Sequence, residues 1–268
     1  MEFEDIVYDQ EENGIVTITL NKPERKNALS QLTFWELWQA FDQAKKDKTA
    51  RVVIMTGAGD AFSSGGYFNM KILEQIPPEI KKEIDLNDIA QKKLCLKMWE
   101  FEKPIIAAIN GLAIGAGITM PLTCGDLIYM SETAYASFMF VKRAIIPEFA
   151  SSFILPRLIG YPKTKELMFF GDKISAQQMY EMGLINKVCK PDELIPYARE
   201  QALRLVPPKG PSLALKMMKR ALHKPLTQFI SDALDMENKG LRKTAASRDF
   251  SESLKALKEK RDSKFVGK

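Results

Sequence analysis

Apolar residues recur along the chain in two alternating rhythms. Ile15 to Leu20 (IVTITL) alternates β-branched residues with a period of two and predicts a strand. After Ser30, the residues Leu32, Trp35, Trp38 and Phe41 recur at helical spacing as far as Lys45-Lys46-Asp47-Lys48, which predicts a helix that Ser30 opens. Arg51 to Met55 reads as a short buried strand, followed by a glycine-rich stretch from Gly57 to Gly66. Pro77-Pro78 predicts a loop, and Ile84 to Trp99 a long amphipathic helix. Pro104 restarts the chain into a strand from Ile105 to Ile109, then Asn110-Gly111. Ala116 to Cys124 reads as helix and Leu127 to Met130 as strand. Strands that alternate with helices predict an α/β fold of stacked β-α units around a largely parallel sheet.

Beyond about Ser151 the strand signals fade. Ser175-Ala-Gln-Gln178 and Asp249-Phe-Ser-Glu252 both have capping-box form, an oxygen acceptor followed three residues later by Gln or Glu. The last third is therefore expected to be helical, with Pro207-Pro208-Lys209-Gly210-Pro211 as its clearest hinge. The expected organisation is a core over residues 1–206 and a helical region over 207–268. No repeat at fixed period and no low-complexity segment interrupts it.

The length, 268 residues, fits one sizeable α/β core with a small helical appendage. With 46% hydrophobic and 27% charged residues, the composition is that of a soluble globular protein. The first nine residues carry Glu2, Glu4 and Asp5 and lack the basic and apolar regions of a secretory signal. No apolar run reaches the roughly 18 residues a membrane span needs. A cytoplasmic protein without a membrane partner is the expectation. The formal net charge of +5 suits an anionic small ligand, but Lys and Arg are scattered. No basic tract with interleaved aromatics points to nucleic acid. Cys95, Cys124 and Cys189 are spaced too widely for a zinc knuckle and are expected as reduced, buried thiols.

The histidine content narrows the chemistry. His223 stands alone, so no His-rich metal site can form within the chain, and no metal is expected. A Ser-His-Asp triad would have to run through His223, which sits in a Lys-rich amphipathic segment and reads as a packing or surface residue. Catalysis is left to carboxylates, backbone amides or the chemistry of the ligand.

Two glycine-rich turns each follow a buried strand. Gly57-Ala-Gly-Asp-Ala-Phe-Ser-Ser-Gly-Gly66 is neither a dinucleotide fingerprint, since Phe62 occupies the completing glycine position, nor a phosphate loop. Asn110-Gly-Leu-Ala-Ile-Gly-Ala-Gly117 leads into the helix that begins at Ala116. Small residues at a helix start leave N–H groups pointing outward with the positive end of the dipole behind them, a cradle for an anion or a developing oxyanion. Two readings stand at this point: such a cradle, or glycines that merely permit tight turns and close packing.

The pair AFSSGG (Ala61 to Gly66) and NGLAIGAG (Asn110 to Gly117) resembles the two signature segments of the crotonase superfamily, the enoyl-CoA hydratases and isomerases. Asn21-Lys-Pro-Glu-Arg-Lys-Asn-Ala28 resembles its early turn, Lys103 to Asn110 its central strand, and Ala176 to Val188 its later A-x-x-x-x-x-G-L element. The resemblance runs in order through almost the whole chain. It implies a spiral core of stacked ββα units and a C-terminal helical region that forms trimers, often paired into hexamers. It also implies an acyl-CoA substrate, with coenzyme A entering as part of that substrate and no separate cofactor.

Family resemblance implies that the backbone N–H groups of Gly66 and Ala116 point at the thioester oxygen, where the charge of an enolate collects. Two fixed donors in a dry site stabilise the enolate more than the neutral thioester, and losing one such donor typically costs roughly 3–4 kcal/mol. The two glutamates that hold water in family hydratases align with Thr119 and Phe140, neither of which can serve. Ile146-Pro-Glu-Phe-Ala-Ser-Ser-Phe153 instead resembles the P-E-x-x-S-S segment of the peroxisomal-type Δ3,Δ2-enoyl-CoA isomerases, which implies Glu148 as a base shuttling a proton from C2 to C4. The neighbours Phe140, Phe149 and Phe153 are expected to form an apolar wall beside it. Tyr67, Thr119, Phe140 and Phe149 are candidates for the substrate pocket; Tyr67 replaces the aspartate that many members carry, which leaves linear, cyclic and aromatic acyl groups open.

For coenzyme A the resemblance implies Lys22, Arg25 and Lys26 of the early turn, Ala61 and Ser64 of the first glycine segment, and Lys260 reaching in from a neighbouring subunit. The favoured reading is an isomerase moving a double bond from C3 to C2. The alternatives are hydration, another acyl-CoA reaction, or a non-catalytic acyl-CoA or RNA binder.

Overall fold

The computed structural model describes residues 3–67, 76, 78–83 and 92–268. Ten strands are described: β1 (Ile6–Gln10), β2 (Ile15–Leu20), β3 (Val52–Gly57), β4 (Ala61–Ser63), β5 (Ile105–Ile109), β6 (Leu112–Ile114), β7 (Leu127–Ser131), β8 (Tyr135–Ser137), β9 (Lys173–Ser175) and β10 (Lys187–Cys189). They form a six-stranded sheet, β1-β2-β3-β5-β7-β10, and a four-stranded sheet, β4-β6-β8-β9. Only β1–β2 and β8–β9 pair antiparallel; the other pairings are parallel.

The helices are α1 (Gln31–Lys46), α2 (Pro78–Glu83), α3 (Leu94–Trp99), α4 (Ala116–Cys124), α5 (Ser151–Phe170), α6 (Ala176–Glu181), α7 (Leu194–Leu205), α8 (Ser212–His223), α9 (Thr227–Ala245) and α10 (Arg248–Glu259). A capping box opens α1, with Ser30 Oγ accepting from the Thr33 amide and Thr33 Oγ1 from the Ser30 amide. Ser175 and Gln178 form the predicted box at α6.

The six-stranded sheet is covered on both faces, and the period of two along its strands sorts the residues. Ile15, Val52, Ile54, Ile106 and Ala108 point to one face, where α7 packs with Leu194, Ala198 and Ala202. Val16, Ile18, Val53, Met55, Ile105 and Ala107 point to the other, against Phe41 of α1, Met98 of α3 and Ile118 of α4. Parallel strands covered on both faces read as continuous apolar runs. That is why IIAAI of β5 shows no alternation, all five residues being buried.

The architecture departs from the pattern reading in specific places. Three-residue strands β4, β6, β8 and β9 build a whole second sheet that periodicity missed, because a three-residue strand is too short to show a period. Strands β9 and β10 lie beyond Ser151, where only helix was expected, and β10 adds a parallel edge to the main sheet. Pro78 opens a helix rather than a loop, since proline at a first helical position sacrifices no helical hydrogen bond. Pro77 and the 84–91 part of the expected long helix lie outside the described residues. Asp249 is not the cap of α10: Ser247 is, its Oγ accepting from the Phe250 amide at 3.0 Å. Asp249 instead accepts from the amides of Val266 and Gly267, tying the C-terminal tail to the helix. His223 packs, its ring stacked 4.0 Å from that of Trp99. No helix among the described residues is long and apolar enough to cross a membrane.

Candidate active site

Strands β4 and β6 run side by side, Ala61 opposite Leu112 and Ser63 opposite Ala113, so the two glycine segments leave the same sheet in the same direction. Their crossing is too close for side chains. A Cβ on Gly117 would lie 2.5 Å from the Ser63 carbonyl oxygen, and one on Gly65 would lie 2.6 Å from that of Ile114 and 3.7 Å from the Ala116 nitrogen. Gly65 and Gly115 also adopt positive φ, +87° and +55°. The glycines are therefore packing and turn residues, and it is this packing that brings the two turns together.

Backbone polar groups on either side of the two turn ends have defined partners. The Gly65 carbonyl accepts from Leu29 N at 2.7 Å, and Tyr67 N donates to Leu29 O at 2.9 Å. The Gly115 amide donates to Ser137 O, and the Gly115 carbonyl accepts from Ile118 and Thr119. Among the described residues no acceptor is paired with the amides of Gly66 and Ala116. The Ala116 amide is one of the orphan donors at the start of α4, with that helix's dipole behind it. Both residues line one cavity of about 870 Å³.

Glu148 lines the same cavity, half-buried, and is its only carboxylate among the described residues. The walls are largely apolar, with Leu29, Phe34, Ile114, Met139, Phe140 and Ile145. Arg25, Arg143, Arg242 and Lys258 also reach the lining, so the cavity is positively charged in balance and suits an anionic ligand. Burial lowers the pKa of the Arg143 guanidinium.

Of the residues named from sequence, Gly66, Ala116, Glu148, Arg25, Ser64, Tyr67 and Phe140 meet at this cavity. Phe140 closes on the second glycine turn, its ring 3.6 Å from where a Gly115 Cβ would be. Thr119 and Phe149, expected at the substrate pocket, do not line this cavity. Thr119 is fully buried in α4 and its hydroxyl donates back to the Gly115 carbonyl at 3.2 Å. Phe149, at φ +57°, is fully buried in the core, 6.1 Å from the Phe34 ring. Phe153 also leaves the expected wall, stacking on Phe229 at 6.0 Å.

The early basic turn is engaged with the protein itself. Arg25 pairs with buried Asp5 at 2.5 Å and lies 4.8 Å over the Tyr67 ring, Lys22 sits 3.6 Å from Asp5, and Lys26 pairs with Asp60 at 2.5 Å. Neither Lys22 nor Lys26 lines the cavity. Ala61 is buried in β4, and its carbonyl accepts from Asn27 Nδ2 at 2.7 Å, which pins the early turn to the first glycine segment. Lys260 is exposed at the left-handed end of α10. The sequence reading missed the cavity floor: Asn238, Leu241, Arg242 and Ala245 of α9 line it at i, i+3, i+4 and i+7. That helical stripe is legible as amphipathic, but nothing in it names the surface it faces.

The comparisons with known proteins agree with this geometry. The family model for enoyl-CoA hydratase/isomerase matches residues 10–268. The chain is 30% identical to 1,2-epoxyphenylacetyl-CoA isomerase of Escherichia coli over 96% of this chain and 97% of that protein. It is equally 30% identical to crotonyl-CoA hydratase of Syntrophomonas wolfei, over the full length of both. A solved enoyl-CoA hydratase/isomerase of Pseudoalteromonas atlantica superimposes with a TM-score of 0.85 at 28% identity, covering 98% of this chain and 100% of that one. This chain thus belongs to the enoyl-CoA hydratase/isomerase family, within the crotonase superfamily.

Proposed function

We propose that this enzyme of the enoyl-CoA hydratase/isomerase type is an isomerase that moves a C3 double bond to C2 in an enoyl-CoA, with Glu148 as its single base. The observation that carries the reading is the convergence of Glu148 with the free amides of Gly66 and Ala116 on one cavity that holds no second carboxylate among the described residues. Glu148 takes a proton from C2, and the electron pair moves into the thioester carbonyl. The resulting oxyanion accepts from the amides of Gly66 and Ala116, which strengthen their bonds as charge develops. Return of the same proton to C4 gives the conjugated product with no net gain or loss of atoms. A hydratase of the two-glutamate type would need carboxylates where this chain has Thr119 and Phe140. The single carboxylate among largely apolar walls offers no paired acceptors to hold a water, which supports proton return over hydration.

Coenzyme A fits the positive balance of the cavity, with Arg25 and Ser64 on its lining and Lys22 and Lys26 in the same turn. The exposed apolar side chains of α8, Leu213, Met217, Met218 and Leu222, support assembly into trimers or paired trimers in which Lys260 approaches a neighbour's ligand.

The test is to offer the protein a 3-enoyl-CoA and crotonyl-CoA in parallel, following conjugation and hydration. Conjugation is expected to dominate, and Glu148→Gln should lose it by about 100- to 10,000-fold with affinity for coenzyme A kept. Hydration of crotonyl-CoA without conjugation of the 3-enoyl-CoA, or an active Glu148→Gln variant, would overturn the assignment.

A further inference from the structure

The turn that carries Glu148 is held in a conformation that its own sequence disfavours. Phe149 and Ala150 follow with φ of +57° and +52°, two consecutive non-glycine residues in the left-handed region. L-residues rarely enter that region singly, and such a conformation persists only where the surroundings over-determine it. Local contacts supply part of the hold: the Glu148 carbonyl accepts from Ser151 Oγ at 2.6 Å and from Ser151 N at 3.2 Å.

The rest comes from 85 or more residues away. Glu237 on α9 is 3% exposed, and its carboxylate reaches across to the same turn. Its Oε2 accepts from Ala150 N at 2.7 Å, and its Oε1 from Ser152 N at 2.9 Å and Ser152 Oγ at 2.5 Å. Those amides are orphan donors at the start of α5, which a local cap would ordinarily satisfy; here the residue in the capping position, Ala150, has no side-chain acceptor to offer. No cation among the described residues is paired with Glu237. An acid buried to this degree without a counter-charge is unfavourable unless its hydrogen bonds do something that an apolar residue cannot.

We infer that Glu237 is a positioning residue that fixes the direction of the Glu148 side chain by clamping the left-handed turn after it. The inference rests on the proposed role of Glu148 and deepens it. Glu237 lines no part of the cavity and so is placed to act through another residue, whereas the next residue, Asn238, is on the lining. One helix therefore shapes the cavity floor and sets the aim of the base.

Three variants test the inference: Glu237→Gln, Ser152→Ala, and Glu237→Gln combined with Glu148→Gln. Gln presents one oxygen and one NH₂, so it leaves the Ala150 amide facing a donor; Ser152→Ala removes only the hydroxyl bond. The expected result is a fall in kcat of about tenfold or more for Glu237→Gln, with KM within about twofold, and a smaller fall for Ser152→Ala. In the Glu148→Gln background, Glu237→Gln should cost nothing further, because a residue acting through Glu148 has nothing left to aim. Additive losses in the double variant, or wild-type kcat in a folded Glu237→Gln protein, would overturn it. Should Glu237→Gln fail to fold, Ser152→Ala decides alone: kcat equal to wild type sinks the inference, and a fall confined to kcat sustains it. If the wild type does not isomerise, the function reading fails separately. Deuterium exchange at C2 of a bound acyl-CoA, together with a crystal structure of Glu237→Gln, then tests the clamp by itself. Slowed exchange with a relaxed 148–152 turn supports it, and unchanged exchange with an unmoved turn refutes it.

Discussion

Gly65 and Ile114 meet backbone to backbone: a Cβ on Gly65 would lie 2.6 Å from the Ile114 carbonyl oxygen. This contact sets the spacing between the Gly66 and Ala116 amides, because each donor lies within two residues of it. Gly65→Ala must both leave a φ of +87° and push the second glycine segment away. A donor displaced from the oxyanion by even part of an ångström loses much of its effect. The expected outcome is a fall in kcat of about 100- to 1,000-fold, near the loss of one oxyanion donor. Steady-state kinetics with circular dichroism checks it; a folded variant with near wild-type kcat would break the link between this contact and the two amides.

Asp5 is the anchor of the early turn, not a bystander to it. It is 3% exposed and accepts from Arg25, Ser30 Oγ at 2.8 Å and Thr33 Oγ1, joining the approach to β1, the basic turn and the cap of α1. Asp5→Asn keeps the shape but leaves the Arg25 guanidinium short of its counter-charge, at a cost of about 2–4 kcal/mol. For a chain of this size that corresponds to a fall in Tm of roughly 4–7 °C. Lys22→Ala should change stability by less than about 1 kcal/mol, since its ion pair is partly exposed and long at 3.6 Å. Thermal melts of the two variants side by side decide the matter: equal shifts would mean that Asp5 works through simple surface charge.

What the sequence disclosed and what it hid follow from the range of the interactions involved. Gly57 to Gly66 and Asn110 to Gly117 were legible because glycine is demanded by backbone approach, a local requirement. Helices α1 and α4 were legible because a cap or a glycine turn precedes an apolar run. The second sheet was not, because β4, β6 and β8 exist through pairing between segments some 20 to 50 residues apart rather than through their own pattern. Thr119 and Phe149 lie off the cavity lining because proximity in sequence says nothing about which way a side chain points: Thr119 turns back on its own helix, and Phe149 is buried in the core. The internal partner of the basic turn, Asp5, was not legible, because it lies some 20 residues earlier, just ahead of β1, where the pattern announces no element.

Glu36 makes the pH dependence of stability specific. It is 2% exposed in α1 and accepts from three successive amides of the first strand's approach, Glu4 at 2.7 Å, Asp5 at 2.8 Å and Ile6 at 3.1 Å. Burial, reinforced by the nearby Asp5 charge, outweighs those bonds and pushes its carboxyl up to about 7. The folded protein therefore holds this proton more tightly than the unfolded chain does. Its contribution to stability is complete below the ordinary glutamate range and is lost as pH rises through about 7. Between pH 6 and pH 8 the loss from this one group is roughly 1 kcal/mol. Glu36→Gln cannot titrate, so the difference in Tm between wild type and Glu36→Gln should move by about 2 °C against the wild type over that interval. Calorimetric scans of both proteins across the range would reveal it. A difference that stays constant, or that moves in favour of the wild type as pH rises, would mean that Glu36 is already ionised at pH 6 and that its three amide bonds, not its burial, dominate.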